Sequence, residues 1–135
     1  MTDSITVTEL RLVVTVDDYD EALRFYRDVL GLAQRASYHS PDGRVTILDA
    51  GRATLEIADA AQADYIDRVE VGRRVAGKFR VALEVDDSAH ATDVLAAAGA
   101  DVIAPPTTTP WGSLNARLDA PGGVQLTLFS GDVLD

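Results

Sequence analysis

The chain is similar to itself, and that repeat limits the fold more than any other feature of the sequence. Arg11-Leu-Val-Val-Thr-Val-Asp17-Asp18 aligns with Arg80-Val-Ala-Leu-Glu-Val-Asp86-Asp87 at an offset of 69. Gly31 closes Val29-Leu30-Gly31 as Gly99 closes Ala97-Ala98-Gly99, at an offset of 68. Thr54-Leu-Glu56-Ile-Ala58 faces Gln125-Leu-Thr127-Leu-Phe129, at an offset of 71. One such match arises easily from the alternation of apolar and polar residues. Three in the same order require two halves built from the same elements.

Each half reads as strand, helix, then three strands. Leu10–Val16 is apolar and β-branched, and Asp17 or Asp18 supplies a cap for the helix that follows. From Asp20 to Leu30, the residues Ala22, Phe25, Tyr26, Val29 and Leu30 recur at helical spacing, and Gly31 ends the run. Strands follow at Ala33–His39, at Arg44–Asp49 after the Pro41-Asp42-Gly43 turn, and at Thr54–Ala58 after Gly51. The second half gives a strand at Phe79–Val85 and a helix at Ser88–Ala98. Its later strands lie near Asp101–Ala104, Leu114–Leu118, and Val124–Phe129 after Pro121-Gly122-Gly123. The expected organisation is one domain over residues 1–135. A first module covers about 8–58, a connecting segment 59–77 and a second module about 78–130. The connecting segment is mixed and charged without a clean period; part of it can be helical, and it can border a pocket.

Residues two apart on a strand share a face. Leu12, Val14 and Val16 therefore oppose Arg11, Val13 and Thr15, and Val81, Leu83 and Val85 oppose Arg80, Ala82 and Glu84. Leu55 and Ile57 oppose Thr54, Glu56 and Ala58; Leu126 and Leu128 oppose Gln125, Thr127 and Phe129. The apolar faces should carry the helices. The mixed faces, if both sheets curl together, line one shared hollow.

Composition removes several classes of function. With 135 residues, 47% hydrophobic and 25% charged, the chain has the profile of a globular domain. It contains no cysteine, which excludes disulfides, thiolate metal sites and a cysteine nucleophile. Twelve Lys+Arg against 22 Asp+Glu give a net charge of −10, which disfavours nucleic acid and anionic lipid. Lys78, Arg73, Arg74 and Arg80 form the one basic cluster, and Glu70 interrupts its approach. No apolar run reaches the roughly 18–20 residues of a membrane span, and the opening MTDSITVTEL lacks the features of a secretory signal. These observations favour the cytoplasm. No G-x-S-x-G elbow, P-loop or G-x-G-x-x-G is present. The Asp17-Asp18 and Asp86-Asp87 pairs look like catalytic carboxylates, but their repeated place before a helix makes capping the better account.

The two βαβββ halves, the phrase Val16-Asp-Asp-Tyr-Asp-Glu-Ala-Leu-Arg-Phe25-Tyr26-Arg-Asp-Val-Leu30-Gly31 and the ending Asp119-Ala-Pro121-Gly122-Gly123 resemble the vicinal oxygen chelate superfamily. That superfamily includes glyoxalase I, extradiol dioxygenases and the fosfomycin and bleomycin resistance proteins. The resemblance runs from about Thr8 to Phe129. It implies an α+β fold in which two tandem modules form a cupped, incomplete barrel, and a homodimer. It also implies four places for metal ligands, which in this sequence hold Arg11, Glu56, Arg80 and Thr127. Only Glu56 fits the family pattern. Arginine stays protonated and has no lone pair to give. At about 4 Å and an effective dielectric near 20, each guanidinium would oppose a unit charge by roughly 4 kcal/mol, and a divalent ion by twice that. The two histidines, His39 and His90, fall outside the four places, whereas a catalytic zinc or iron normally takes three protein ligands. The expectation is therefore no metal and no cofactor, the alternative being a divalent metal at Glu56.

Arg11, Arg80 and Glu56 should project toward one space, with Thr15, Thr54, Gln125 and Thr127 nearby. Either a Glu56–arginine ion pair fills the former metal site, or one arginine is left to meet a carboxylate, phosphate or phenolate. Trp111, in Thr107-Thr-Thr-Pro110-Trp111-Gly112, either stacks on a flat ligand, as the resemblance implies, or packs at a rim or dimer contact. Tyr38 or His39, but not both, can line the hollow, and Phe129 can form its apolar wall or pack in the core. Phe25 and Tyr26 belong to the core. The reading is a metal-independent protein that sequesters an aromatic or amphipathic small molecule such as an antibiotic. The alternative is a lyase or dioxygenase of this superfamily, with an altered metal site or with Glu56 as a general base.

Overall fold

The computed structural model describes residues 4–29, 31–120 and 123–131. The Pro121-Gly122 part of the expected turn, Leu30 and the side chain of Phe25 lie outside the described residues. Eight strands form one sheet: β1 (Val7–Val16), β2 (Gln34–Ser40), β3 (Gly43–Ala50), β4 (Ala53–Asp59), β5 (Phe79–Val85), β6 (Asp101–Thr108), β7 (Leu114–Ala120) and β8 (Val124–Ser130). Their order across the sheet is β2-β3-β4-β1-β5-β8-β7-β6, so the sheet is open at β2 and β6. Within each half the first strand pairs in parallel with the last, β1 with β4 and β5 with β8. The halves join through the antiparallel β1–β5 ladder, where Arg11 stands opposite Ala82 and Val13 opposite Arg80. Ala82 is the repeat partner of Val13, so the halves meet about a local two-fold axis and the two arginines lie diagonally across it.

Asp18 caps α1 (Tyr19–Leu23), its carboxylate accepting from Glu21 N at 3.0 Å. Asp87 caps α3 (Ser88–Ala97), accepting from His90 N at 3.1 Å. Capping is thus what one residue of each aspartate pair does. The single helix expected over Asp20–Leu30 is instead α1 followed by a π-helical stretch at Arg24–Val29. With i→i+5 bonding, each residue advances less around the axis than in an α-helix, so an apolar stripe drawn at α spacing drifts. Tyr26 still packs against the cluster of Tyr19, Leu23, Leu48 and Ile57, but Val29, expected on the stripe, is 76% exposed.

The apolar sheet face carries these helices. Tyr19 and Leu23 pack with Leu48 and Ile57, and Ala91 packs with Val85, Ala116, Leu118 and Leu128. Burying each such aliphatic side chain stabilises the fold by about 1.5–3 kcal/mol before entropy is counted. The connecting segment supplies α2 (Ala60–Glu70), capped by Asp59 accepting from Gln62 N at 2.8 Å. This helix lies across the other, mixed face. Its buried residues Gln62, Ala63, Ile66, Asp67 and Glu70 recur at helical spacing. The period was hidden in the sequence because three of those five are polar.

Candidate functional site

Between α2 and the mixed face of the sheet is a cavity of about 290 Å³. Arg11, Tyr38, Glu56, Arg80, Trp111, Thr127 and Phe129 all line it. Strand parity explains how four strands bring these residues together. Glu56 is in register with Val13, Thr127 with Ala82, and Val13 with Arg80, so all project to the same side. Tyr38 stands in register with Val45 on β3, and both reach the cavity. Its neighbour His39 turns the other way and meets the Tyr19 ring edge-on, with centroids 6.2 Å apart. Trp111 comes from the turn between β6 and β7, and Tyr65 of α2 lies 6.1 Å from it, ring to ring. Phe129 is both buried and part of the wall, and the Arg11 guanidinium sits 4.8 Å above its ring.

The two arginines differ in their surroundings. Arg11 is 2% exposed; its Nε donates to Glu9 Oε2 at 2.7 Å, and its Nη1 lies 3.9 Å from Glu56 Oε1. Arg80 is 8% exposed, and its Nη1 donates to Thr127 Oγ1 at 2.5 Å. Among the described residues Arg80 makes no other side-chain hydrogen bond and no ion pair, although a guanidinium carries five N–H donors. Burial holds the Arg80 guanidinium below the ordinary arginine value. The like charge of Arg117 acts in the same direction, and Glu70, Glu56 and Asp67 oppose it. The strands themselves held a signal for this asymmetry. Two positions before Arg11, on the same face, stands Glu9; the corresponding residue two before Arg80 is Lys78.

Three other residues expected near the hollow are engaged elsewhere. Thr54 donates to Glu9 Oε2 at 2.6 Å, and Gln125 Oε1 accepts from Arg117 Nη1 at 2.8 Å. Thr15 faces a separate small hollow beneath α2. Because it is buried in the cavity wall, Arg80 also drops out of the basic surface cluster proposed with Arg73, Arg74 and Lys78.

The connecting segment was expected to be part helical and to border a pocket, but the side chains that α2 and β7 bring to it were not named from the sequence. Gln62, Tyr65, Ile66 and Glu70 form one wall of the cavity, and Asn115 joins them. Behind that wall lies a buried ionic network centred on Arg117, which is 0% exposed. Its Nη1 donates to Asp67 Oδ1 at 2.7 Å and its Nη2 to Glu70 Oε1 at 2.8 Å. Asn115 Nδ2 donates to the second Glu70 oxygen at 2.8 Å, and Ser113 Oγ donates to Asn115 Oδ1 at 2.6 Å. Ser113 also bonds Thr109, so this chain of contacts ties α2 to the turn that carries Trp111.

A sequence model described as the Glyoxalase/Bleomycin resistance protein/Dioxygenase superfamily matches residues 9–128. The chain belongs to this superfamily. Among solved structures, hypothetical protein BH1468 from Bacillus halodurans C-125 superposes with a TM-score of 0.69 at 16% identity, covering 96% of each chain. Methylmalonyl-CoA epimerase from Mycobacterium tuberculosis gives 0.66 at 18% identity, over 92% of this chain and 88% of its own. A variant of Streptomyces coelicolor methylmalonyl-CoA epimerase in complex with 2-nitronate-propionyl-CoA gives 0.67 at 18% identity, over 98% and 99%. At these identities the likeness establishes the fold. No curated protein matches the sequence. The cupped α+β architecture is thus that of the superfamily, and among the described residues no helix is long and apolar enough to cross a membrane.

The superfamily's metal-ligand places do not fit an ion in this member. Two hold guanidinium groups, and the Thr127 hydroxyl already accepts a hydrogen bond from Arg80. Glu56 remains as the one anionic donor, beside Arg11. Among the described residues no three His, Cys, Asp or Glu side chains come together to hold a metal.

Proposed function

We propose that this protein binds a small amphipathic aromatic molecule, without a metal, in the cavity between α2 and the sheet. The observation that carries this reading is Arg80, a buried guanidinium in the cavity wall whose one side-chain partner among the described residues is a threonine hydroxyl. The remaining Arg80 N–H groups open onto the cavity, so an oxygen acceptor on a ligand gains both a strong charge-assisted bond and specificity. Trp111, Tyr65, Tyr38 and Phe129 provide aromatic surface around that anchor. The reading is of a cytoplasmic two-fold dimer that meets neither nucleic acid nor membrane.

The second reading is an enzyme. Glu56, a carboxylate in the cavity wall, would move a proton from bound substrate in the manner of a general base. Methylmalonyl-CoA epimerases that share this fold have been solved in complex with CoA esters, and such an ester would have to present its acyl end to Arg80.

A thermal-shift screen of planar antibiotics and aromatic acids tests both readings, run on the wild type, Arg80→Ala and Trp111→Ala. Hits should raise the melting temperature of the wild type and lose most of that shift in both variants. Equal stabilisation of all three proteins would place the ligand elsewhere. Any hit is then incubated in deuterated water: exchange of a carbon-bound proton that vanishes in Glu56→Gln selects the enzyme, and its absence selects the binder.

A further inference from the structure

Resting on that reading, we infer that the ligand is a single-ring aromatic monocarboxylate held in the cavity by Arg80. Three observations carry the inference.

The first is volume. A cavity of about 290 Å³ holds the equivalent of roughly ten water-sized groups at about 30 Å³ each. It lies at the small end of ligand sites, which run from roughly 300 to 1,000 Å³. A benzene ring with a carboxylate and one further small substituent fills it. A three-ring acid exceeds it by more than half, and a glycopeptide or a CoA ester several-fold, so each would leave part of its bulk outside.

The second is charge. The acidic and basic side chains in the lining are Arg11, Arg80, Glu56 and Glu70, two of each sign. A site for a diphosphate or a polycarboxylate needs a surplus of positive charge, and this lining has none. The requirement is local: Arg11 is engaged by Glu9 and Glu56, and Glu70 by Arg117 and Asn115, whereas Arg80 has Thr127. One guanidinium fork matches one carboxylate, which takes two parallel N–H bonds in a fixed plane.

The third is the character of the walls. Phe129 and Ala82 stand in the sheet beside the arginines, Ile66 faces them from α2, and Trp111 and Tyr65 meet at one edge. A flat apolar body directed away from a charged anchor is the shape these walls accept.

Isothermal titration calorimetry at fixed ionic strength tests the inference with benzoate, para-hydroxybenzoate, its methyl ester, benzene tricarboxylate and anthracene carboxylate. The single-ring acids should bind, and the methyl ester should bind at least tenfold more weakly. The tricarboxylate and the three-ring acid should bind at least tenfold more weakly than the single-ring acids. Arg80→Gln should lower the affinity for para-hydroxybenzoate at least tenfold and leave that for the ester unchanged, with Arg80→Lys in between. Should Arg80→Gln fail to fold, the comparison of acid with ester on the wild type still decides the charge requirement. Tighter binding of anthracene carboxylate or the tricarboxylate, lost in Arg80→Gln, overturns the size and charge assignment but leaves small-molecule binding at Arg80 standing. Binding of acid and ester alike, indifferent to Arg80, overturns both, as does a panel that gives no heat at all.

Discussion

At Asp67, two physical effects oppose each other and the outcome is clear. Burial pushes its carboxyl up, but the backbone N–H groups of Ala76 and Val75, at 2.8 and 2.7 Å, and the Arg117 guanidinium bring it below its ordinary value of 3.8. The native carboxylate therefore holds its proton less tightly than the unfolded one. Its stabilising contribution is complete above the ordinary value and fades as pH falls below 3.8 through the native value. Thermal melts taken down this range should show a fall in stability that is shallower in Asp67→Asn. At neutral pH the same substitution should cost about 3–5 kcal/mol, because it leaves Arg117 buried beside one carboxylate instead of two. An equal pH dependence in the two proteins would remove Asp67 from this role.

The element that decides the shape of the site is α2, and its seat depends on one glycine. Gly43 opens β3 with φ +152°, and a Cβ added there would stand 2.3 Å from Gln62 N, inside the first turn of α2. No side-chain rotation relieves a clash with backbone, so Gly43→Ala must lift the start of the helix from the β2–β3 turn. The expected cost is about 1–3 kcal/mol, the usual range for overpacking. Gln62 and Tyr65 line the cavity from this end of α2. Hydrogen exchange should therefore speed up over Ala60–Glu70 in Gly43→Ala, and ligand binding should weaken together with it. Unchanged protection of α2 would show that the turn and the helix are not coupled in this way.

For the whole molecule, the open question is what covers the helix-bearing face at its centre. Leu10, Leu12 and Phe79 share that face of the central β1–β5 ladder, and all three are exposed, Phe79 by 64%. An apolar strip on a local two-fold axis is suited to an isologous contact with a second copy. The proposed dimer should appear as such in sedimentation velocity, and Leu12→Glu combined with Phe79→Glu should yield monomers with an unchanged far-ultraviolet spectrum. Because each chain carries a net charge of −10, added salt should strengthen the association. A wild type that sediments as a monomer at all concentrations would exclude this pairing.

The repeat, the strand faces and the gathering of Arg11, Glu56, Arg80 and Thr127 on one side were legible in the sequence because period-two alternation is a local property of the chain. The winding of the helix after Leu23 was not, and neither was the seat of α2. Its buried face carries Gln62, Asp67 and Glu70, and carboxylates at core positions read as surface until a cation is found for them. That cation is Arg117, 50 residues from Asp67 and 47 from Glu70. Only the folded chain brings the charges together, closes α2 over the sheet, and so turns an open polar face into a cavity.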